Sequence, residues 1–214
     1  VSFGPITGGA REGMIDPTGV TASGNLIYMS TISDNTTNTY LMKAVAKIDE
    51  TNYYTLDEAI AAANNQTVTV LENVELRNTL TIAADKVVTL DLNGKTISVA
   101  ITEQLTKSFA AITNKGTLTV KDSGTEGKIS VSYGGSSFGY GIGLYTISNE
   151  GGVLNIEGGI IENTATVATS MYDAIDNNST LGETVLNISG GEVKCAQYIG
   201  VRQFANSTTK DNIV

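Results

Sequence analysis

Six acidic side chains are the residues of this sequence whose chemistry is best suited to catalysis or metal binding. Clustered carboxylates hold Ca²⁺, and a basic residue beside them supports proton abstraction next to the carboxylate of a uronic acid. Two carboxylates that flank a sugar linkage support its hydrolysis instead. The candidates are Asp91, Asp122, Glu157, Asp173, Asp176 and Glu192.

The sequence provides few partners for these carboxylates. It has no histidine, so a serine or cysteine nucleophile would lack an imidazole base. We expect Arg202 to lie on a solvated face, and nothing in the spacing of Asp173 and Asp176 selects them as a hydrolytic pair. Neither a metal site nor a cofactor is indicated, although Ca²⁺ is the ion that such carboxylates would suit. The second strands of successive repeats align four residues at equivalent outward positions, which do not form an acidic cluster: Asp91, Thr119, Asn155 and Asn187.

Charge and hydropathy exclude further classes of function. The formal net charge is −9 over 214 residues, with a pI of about 4.4. An acidic surface repels phosphate backbones and anionic lipids, so we predict no nucleic-acid partner. No apolar run reaches the ~18 residues that a spanning helix needs, so we predict no membrane insertion in this segment.

The elements that would position any site come from an internal repeat. The stretch "IGLYTISN" aligns without gaps on "IGVRQFAN", and two further stretches share its frame, so the unit recurs roughly every 30 residues. A short apolar strand accompanies the repeats, as "LDL", "LTV" and twice "LNI". The aligned stretches are 107–114, 142–149, 170–177 and 199–206, and the short strands are 90–92, 118–120, 154–156 and 186–188.

Each unit therefore contains three short strands separated by turns, with apolar residues at alternate positions. One unit cannot bury its inward side chains alone, whereas stacked units can. We predict an all-β fold, a right-handed parallel β-helix of about five coils. An antiparallel sandwich also uses many short strands, but it does not explain why the strands and turns recur in the same order.

Asparagine ends each aligned stretch, at a position expected to be a corner of the coil. Asn tolerates left-handed backbone and bonds neighbouring amides, and stacked carboxamides can also bond along the axis. We predict that four residues form a structural ladder: Asn114, Asn149, Asn177 and Asn206.

The two ends of the chain differ from the repeat. We assign residues 44–214 to the β-helix, with a capping helix near 55–63, because Thr55 and Glu58 have capping-box spacing. Residues 1–43 are predicted to form an N-terminal arm and β-hairpin. The last stretch shows no cap, so we expect the natural protein to continue there or a partner chain to complete the stack.

The residues quoted above resemble a known group of proteins. The run 44–98, followed by "TNKGTLTVKDSGTEGKIS" and "LNIEGGII", is similar to the pectin-lyase-like right-handed β-helices of large secreted or surface-attached bacterial proteins. The resemblance covers about residues 44–214 and implies that fold at an extracellular or cell-surface location. It does not select an activity, because the superfamily includes lyases, hydrolases, phage tailspikes and adhesive stalks.

We therefore predict a non-catalytic, adhesive β-helix rod that binds a glycan or a host or cell-surface protein through its loops. The longest repeat carries a Gly-rich excursion with four aromatic residues, and loops on rigid scaffolds are common binding sites. Two alternatives remain open. One is a self-assembling filament subunit, joined end to end through the N-terminal arm and the uncapped last coil. The other is a polysaccharide lyase or glycoside hydrolase. The candidate binding residues are Tyr133, Phe138, Tyr140 and Tyr145.

Overall fold

The N-terminal part of the chain forms antiparallel pairs. The structure, a computed structural model, describes residues 26–33, 36–135, 141–166 and 171–204. Strands β1 (Leu26–Ser33) and β2 (Thr36–Lys43) pair with each other and with no other described strand. Strands β3 (Ala46–Ile48) and β4 (Thr51–Tyr53) form a second antiparallel pair.

A short helix, α1 (Leu56–Ala62), follows these strands. Its N-cap is Thr55, whose Oγ1 accepts a hydrogen bond from the backbone N–H of Glu58 at 3.2 Å, as the spacing predicts. The buried side chains of Leu56, Ala59 and Ile60 join the hydrophobic core. The helix therefore covers apolar side chains at the N-terminal end of the solenoid.

From Gln66 onward the chain winds repeatedly through three faces of parallel strands. The first face contains β5 (Gln66–Val70), β8 (Val87–Asp91), β11 (Thr117–Lys121), β14 (Val153–Ile156) and β17 (Val185–Ile188). The second contains β6 (Val74–Glu75), β9 (Thr96–Ile101), β12 (Lys128–Tyr133), β15 (Ile160–Asn163) and β18 (Glu192–Cys195). The third contains β7 (Leu80–Ile82), β10 (Phe109–Asn114), β13 (Gly143–Glu150), β16 (Met171–Asn178) and β19 (Ile199–Phe204).

Each strand from β5 to β16 pairs in parallel with the third strand after it, which is the connectivity of a parallel β-solenoid. The predicted all-β solenoid with one short helix and N-terminal strands is confirmed. The number of coils is smaller than expected. About three turns, β8 to β16, have parallel neighbours on both sides of every face, rather than five. The outer windings lack such a neighbour on one side among the described residues, and β5 instead pairs antiparallel with β3.

The core consists of columns of identical or similar side chains along the solenoid axis. Leu118 pairs in register with Leu154, and Leu154 pairs with Leu186. All three are fully buried. Since every coil seals the apolar interior of its neighbour, stacking rather than any single coil stabilises the fold.

One predicted alignment is wrong by two residues. Leu118 pairs with Val88 rather than with Leu90, so Asp91 lies opposite Lys121 and not at the position of Thr119. The reason is the two-residue period of a strand: a shift by two keeps every apolar side chain on the inner face, and hydropathy cannot distinguish the two registers.

Candidate functional site

Two of the four aromatic residues predicted to bind a ligand are buried. Tyr133 at the end of β12 and Tyr145 on β13 are 7% and 8% exposed. Tyr133 belongs to the hydrophobic core cluster. Phe138 and Tyr140 lie outside the described residues, so they stay a prediction.

The predicted asparagine ladder is present along the third face for three of its four members. Asn114 Nδ2 donates to Asn149 Oδ1, and Asn149 Nδ2 donates to Asn177 Oδ1, both at 2.7 Å. All three residues are fully buried. Asn149 Nδ2 also donates to the carbonyls of Gly152 and Val185 at 3.1 Å. The ladder therefore joins successive coils and holds the turn that leads to the first face.

The fourth position of the ladder is Gln203 and not Asn206, which lies outside the described residues. Asn177 pairs in register with Gln203, and its Nδ2 donates to Gln203 Oε1 at 3.0 Å. The apolar spacing of the last stretch fits two registers. Glutamine supplies the same carboxamide as asparagine. Because Gln203 occupies the ladder position predicted for Asn206, the chain reaches this position three residues earlier than the alignment predicts.

Two of the candidate carboxylates hold turns. Asp122 accepts backbone N–H bonds from Gly94, Gly124 and Gly127 at 2.7 to 3.1 Å. Asp91 accepts from the backbone of Asn93 and Ser123 and lies 3.6 Å from Lys121 Nζ. Carboxylates that accept turn amides in this way stabilise corners of the coil.

The other two carboxylates outside the third face lie on the surface. Glu157 is exposed after β14, and Glu192 pairs with Lys194 on β18. Within the part of the chain that the structure describes, no group of three or more acidic, cysteine or histidine residues is placed to hold a metal ion.

Asp173 and Asp176 form an ion cluster with Arg202 on the outer side of the third face. Arg202 Nε lies 2.9 Å from Asp173 Oδ2 and 3.1 Å from Asp176 Oδ1. The Arg202 guanidinium also donates to Tyr145 Oη at 2.7 Å and contacts the sulfur of Met171 at 3.3 Å. One arginine on β19 therefore binds side chains of the two preceding coils.

The prediction that Arg202 lies on a solvated face is wrong. Its side chain is 18% exposed, whereas Asp173 and Asp176 are 0% and 3% exposed. The register error explains this wrong prediction. The alignment placed Arg202 at the position equivalent to Tyr145, whereas in the structure Arg202 pairs in register with Asp176. If the sequence alignment had placed Gln203 opposite Asn177, it would also have placed Arg202 opposite Asp176. These opposite charges on neighbouring coils would have identified the cluster from the sequence.

Burial perturbs the acid–base properties of the cluster. It raises the pKa of Asp173 from 3.8 to about 6, an effect that Arg202 opposes and Asp176 reinforces. Burial also raises the pKa of Asp176, again against Arg202. Burial and the charge of Asp176 raise the pKa of Tyr145 to about 12. Although Asp173 is close to Arg202, neither of its carboxylate oxygens accepts a hydrogen bond.

The chemistry of this cluster is limited by access. Paired carboxylates with raised pKa values have the properties of an acid–base site. A substrate must reach them, however, and both carboxylates are buried and directed at one guanidinium. The arrangement instead fits an ion pair that fastens β19 to β16 and β13.

Comparisons with known proteins identify no relative. The chain matches no protein-family model, no curated protein and no solved structure. No helix in the described residues has the length and hydropathy needed to cross a membrane.

Proposed function

We propose that this chain is a non-catalytic structural and adhesive rod of an extracellular bacterial surface protein, related to the pectin-lyase-like β-helices. The observation that carries the proposal is the continuous ladder from Asn114 to Gln203. It adds side-chain hydrogen bonds along the axis, two of them buried, to the backbone pairing between coils. A solenoid connected in this way resists local opening, which suits a stalk that holds loops away from a surface.

The burial of Asp173 and Asp176 supports a structural role over a lyase or hydrolase. These are the two described carboxylates whose pKa values are shifted upward, and both are occupied by Arg202. The remaining candidates bind turn amides or face solvent. An enzyme would release unsaturated or reducing sugar from an acidic glycan in the presence of Ca²⁺. We expect no product from a broad polysaccharide panel.

The binding part of the proposal assigns recognition to the loop between β12 and β13. Binding of the purified chain to arrayed glycans, host matrix proteins and whole cells tests it. We expect the double variant Phe138→Ala, Tyr140→Ala to lose binding and to keep its unfolding midpoint. Tyr198→Ala is the matched control, because Tyr198 is an aromatic residue that is 55% exposed outside this loop. Unchanged binding by the loop variant would contradict the assignment.

A second candidate function is end-to-end self-association into filaments, through the N-terminal arm and the last coil. One observation favours it: three of the four large apolar side chains exposed in the described residues lie in or beside the last coil, namely Ile188, Tyr198 and Ile199. Sedimentation and electron microscopy over a range of concentrations test this function. We expect Ile188→Lys to abolish association, and monomers of the wild type at every concentration would exclude filaments.

A further inference from the structure

The corner between β8 and β9 is a tight turn with Asn93 and Gly94 at its centre. Both residues have positive φ, 48° and 71°, and the backbone N–H of Lys95 donates to the carbonyl of Leu92 at 2.8 Å. Two positive φ angles are the pattern of a type I′ turn, which Asn-Gly favours. A Cβ on Gly94 would lie 3.1 Å from the carbonyl oxygen of Thr125. The corner therefore requires glycine second and favours asparagine first.

This dipeptide is chemically labile. The backbone nitrogen that follows an asparagine, once it has lost its proton, can attack the side-chain carbonyl carbon. A C–N bond forms, ammonia leaves, and water then opens the cyclic imide to aspartate or isoaspartate. Glycine shields its nitrogen least because it has no side chain, and Asn93 is the one asparagine of the sequence that glycine follows. Asn93 and Gly94 are half-buried, so solvent reaches the turn.

The attacking nitrogen is held by a carboxylate of the next coil. The backbone N–H of Gly94 donates to Asp122 Oδ1 at 2.7 Å. Loss of this proton would place an amide anion beside the carboxylate, and a neighbouring like charge disfavours the charged form. The nitrogen must also leave Asp122 before it can reach the side chain of Asn93. The contact therefore opposes both the deprotonation and the attack.

From these contacts we infer that Asn93 is a deamidation site, and that the Asp122 carboxylate keeps it unreacted while the two coils stay stacked. The corresponding corners of two later coils contain Gly158–Gly159 and Gly190–Gly191, which have no side-chain amide to lose. Asp122 thus has a chemical role besides holding its own turn. The inference does not depend on adhesion by the rod.

Deamidation at this corner would loosen the stack. Asn93 Nδ2 donates to the carbonyl of Val70 on the preceding coil at 2.9 Å. Aspartate would replace this donor with a carboxylate that repels the carbonyl oxygen. Isoaspartate would also add a methylene to the main chain just before β9, which changes the register of that strand against its neighbours. The modified chain is therefore expected to open first at this corner.

Mass spectrometry tests the inference after storage of the folded chain in warm, mildly alkaline buffer. Trypsin cleaves after Lys86 and Lys95, so the fragment 87–95 carries Asn93 as its one asparagine. A synthetic peptide of residues 87–95 gives the unprotected rate. We expect Asn93 to react about tenfold or more slowly in the chain than in the peptide, since one pKa unit at the amide changes the reacting anion about tenfold. Equal rates would overturn the inference.

Two variants separate the carboxylate from general unfolding. Asp122→Ala removes the acceptor and should raise the rate at Asn93 about tenfold, towards that of the peptide. Asn149→Ala is the matched control, because Asn149 weakens the stack from the third face; the two are compared in urea at equal unfolded fractions. Equal rates in these variants, or a wild-type rate in Asp122→Ala, would overturn the role of Asp122.

A third variant keeps the test valid if Asp122→Ala does not fold. Asp122→Asn retains a side-chain oxygen for the Gly94 N–H but removes the negative charge. Asn93 should then react faster than in the wild type and more slowly than in the peptide. Any new reaction at position 122 appears in a different tryptic fragment, 122–128. A wild-type rate at Asn93 in Asp122→Asn would overturn the protection by the carboxylate.

Discussion

Asn149 Nδ2 donates a 2.7 Å hydrogen bond to Asn177 Oδ1, although the two residues are 28 positions apart in the chain. The bond joins two coils inside the core, where water cannot replace it. The same amide group also holds the carbonyls of Gly152 and Val185. One side chain therefore determines both the stacking of coils and the corner between the third and first faces.

We expect Asn149→Ala to lower the free energy of unfolding by about 2–5 kcal/mol, because it leaves buried acceptors without a donor. Asn155→Ala is the matched control. Asn155 lies on the outer side of β14 and bonds to Thr119 and Asn187 near solvent, so we expect a loss below about 1 kcal/mol. Urea unfolding of both variants measures the difference. Losses of equal size would show that the buried amide bonds of Asn149 contribute no more to stability than the outward bonds of Asn155.

The turn beside the ladder contains a glycine, Gly152, that we expect not to tolerate a side chain. A Cβ on Gly152 would lie 2.5 Å from the carbonyl oxygen of Gly116 and 2.7 Å from Asn114 Nδ2. We expect Gly152→Ala to cost about 3 kcal/mol, since backbone and a buried amide would have to move. At Gly134 the nearest atom to a Cβ is 4.0 Å away, so Gly134→Ala should stay within about 0.5 kcal/mol of the wild type. Thermal unfolding compares the two, and a tolerated Gly152→Ala would contradict the packing described.

The buried carboxylate of Asp173 predicts an inverted pH dependence. Its pKa is about 6 in the folded chain and 3.8 in the reference state, so the folded state binds the proton more readily. The stability from this group is fully present below about pH 3.8 and is lost as the pH rises through about 6. The pKa of Asp176 is raised as well and acts with the same sign.

We therefore expect the melting temperature to rise as the pH falls from 7.5 towards 4.5. Asp173→Asn should raise stability at pH 7.5 by about 1–3 kcal/mol and should flatten this dependence. Glu157→Gln, at an exposed carboxylate, should leave the dependence as in the wild type. A profile of Asp173→Asn as steep as that of the wild type would show that other groups cause it.

Arg202 is expected to control the stability of the last coil. Arg202→Met leaves two buried carboxylates without their cation, which typically costs about 3–5 kcal/mol when both stay ionised. Hydrogen exchange should show the loss in β16 and β19, and the loss should shrink at pH 5 as Asp173 takes up a proton. Lys115→Met removes a more exposed pair with Glu150 at 3.7 Å and should cost less than about 1 kcal/mol. Protection of β19 equal to that of the wild type would contradict the fastening role.

The sequence predicted the features that depend on local pattern. The repeated "LNI" strands identified the column of Leu118, Leu154 and Leu186, and asparagines at matching corners identified three rungs of the ladder. Predictions that needed an absolute register were wrong. Asp91 was misplaced by two residues, because strand alternation repeats every two residues. The last rung was misplaced by three residues, because the apolar spacing of the last stretch fits two registers.

The ion cluster required information that hydropathy does not contain. Tyr145 on β13 and Asp173 and Asp176 on β16 lie on the outer sides of their strands, where the pattern predicts exposure, yet all three are buried. Whether an outward-pointing side chain is buried depends on what covers that face of the sheet and not on the alternation of apolar and polar residues along the strand. Arg202 could not be assigned until the register of β19 was known.

The uniform orientation of the ladder gives the solenoid an electrical polarity. Carboxamide dipoles aligned head to tail add along the axis, as peptide dipoles do in an α-helix. The negative pole lies at Asn114, whose Oδ1 accepts no bond, and the positive pole lies at Gln203. Within the residues that the structure describes, the two ends of the ladder are therefore chemically distinct, and the Gln203 end attracts electron-rich groups even though the molecule as a whole is acidic.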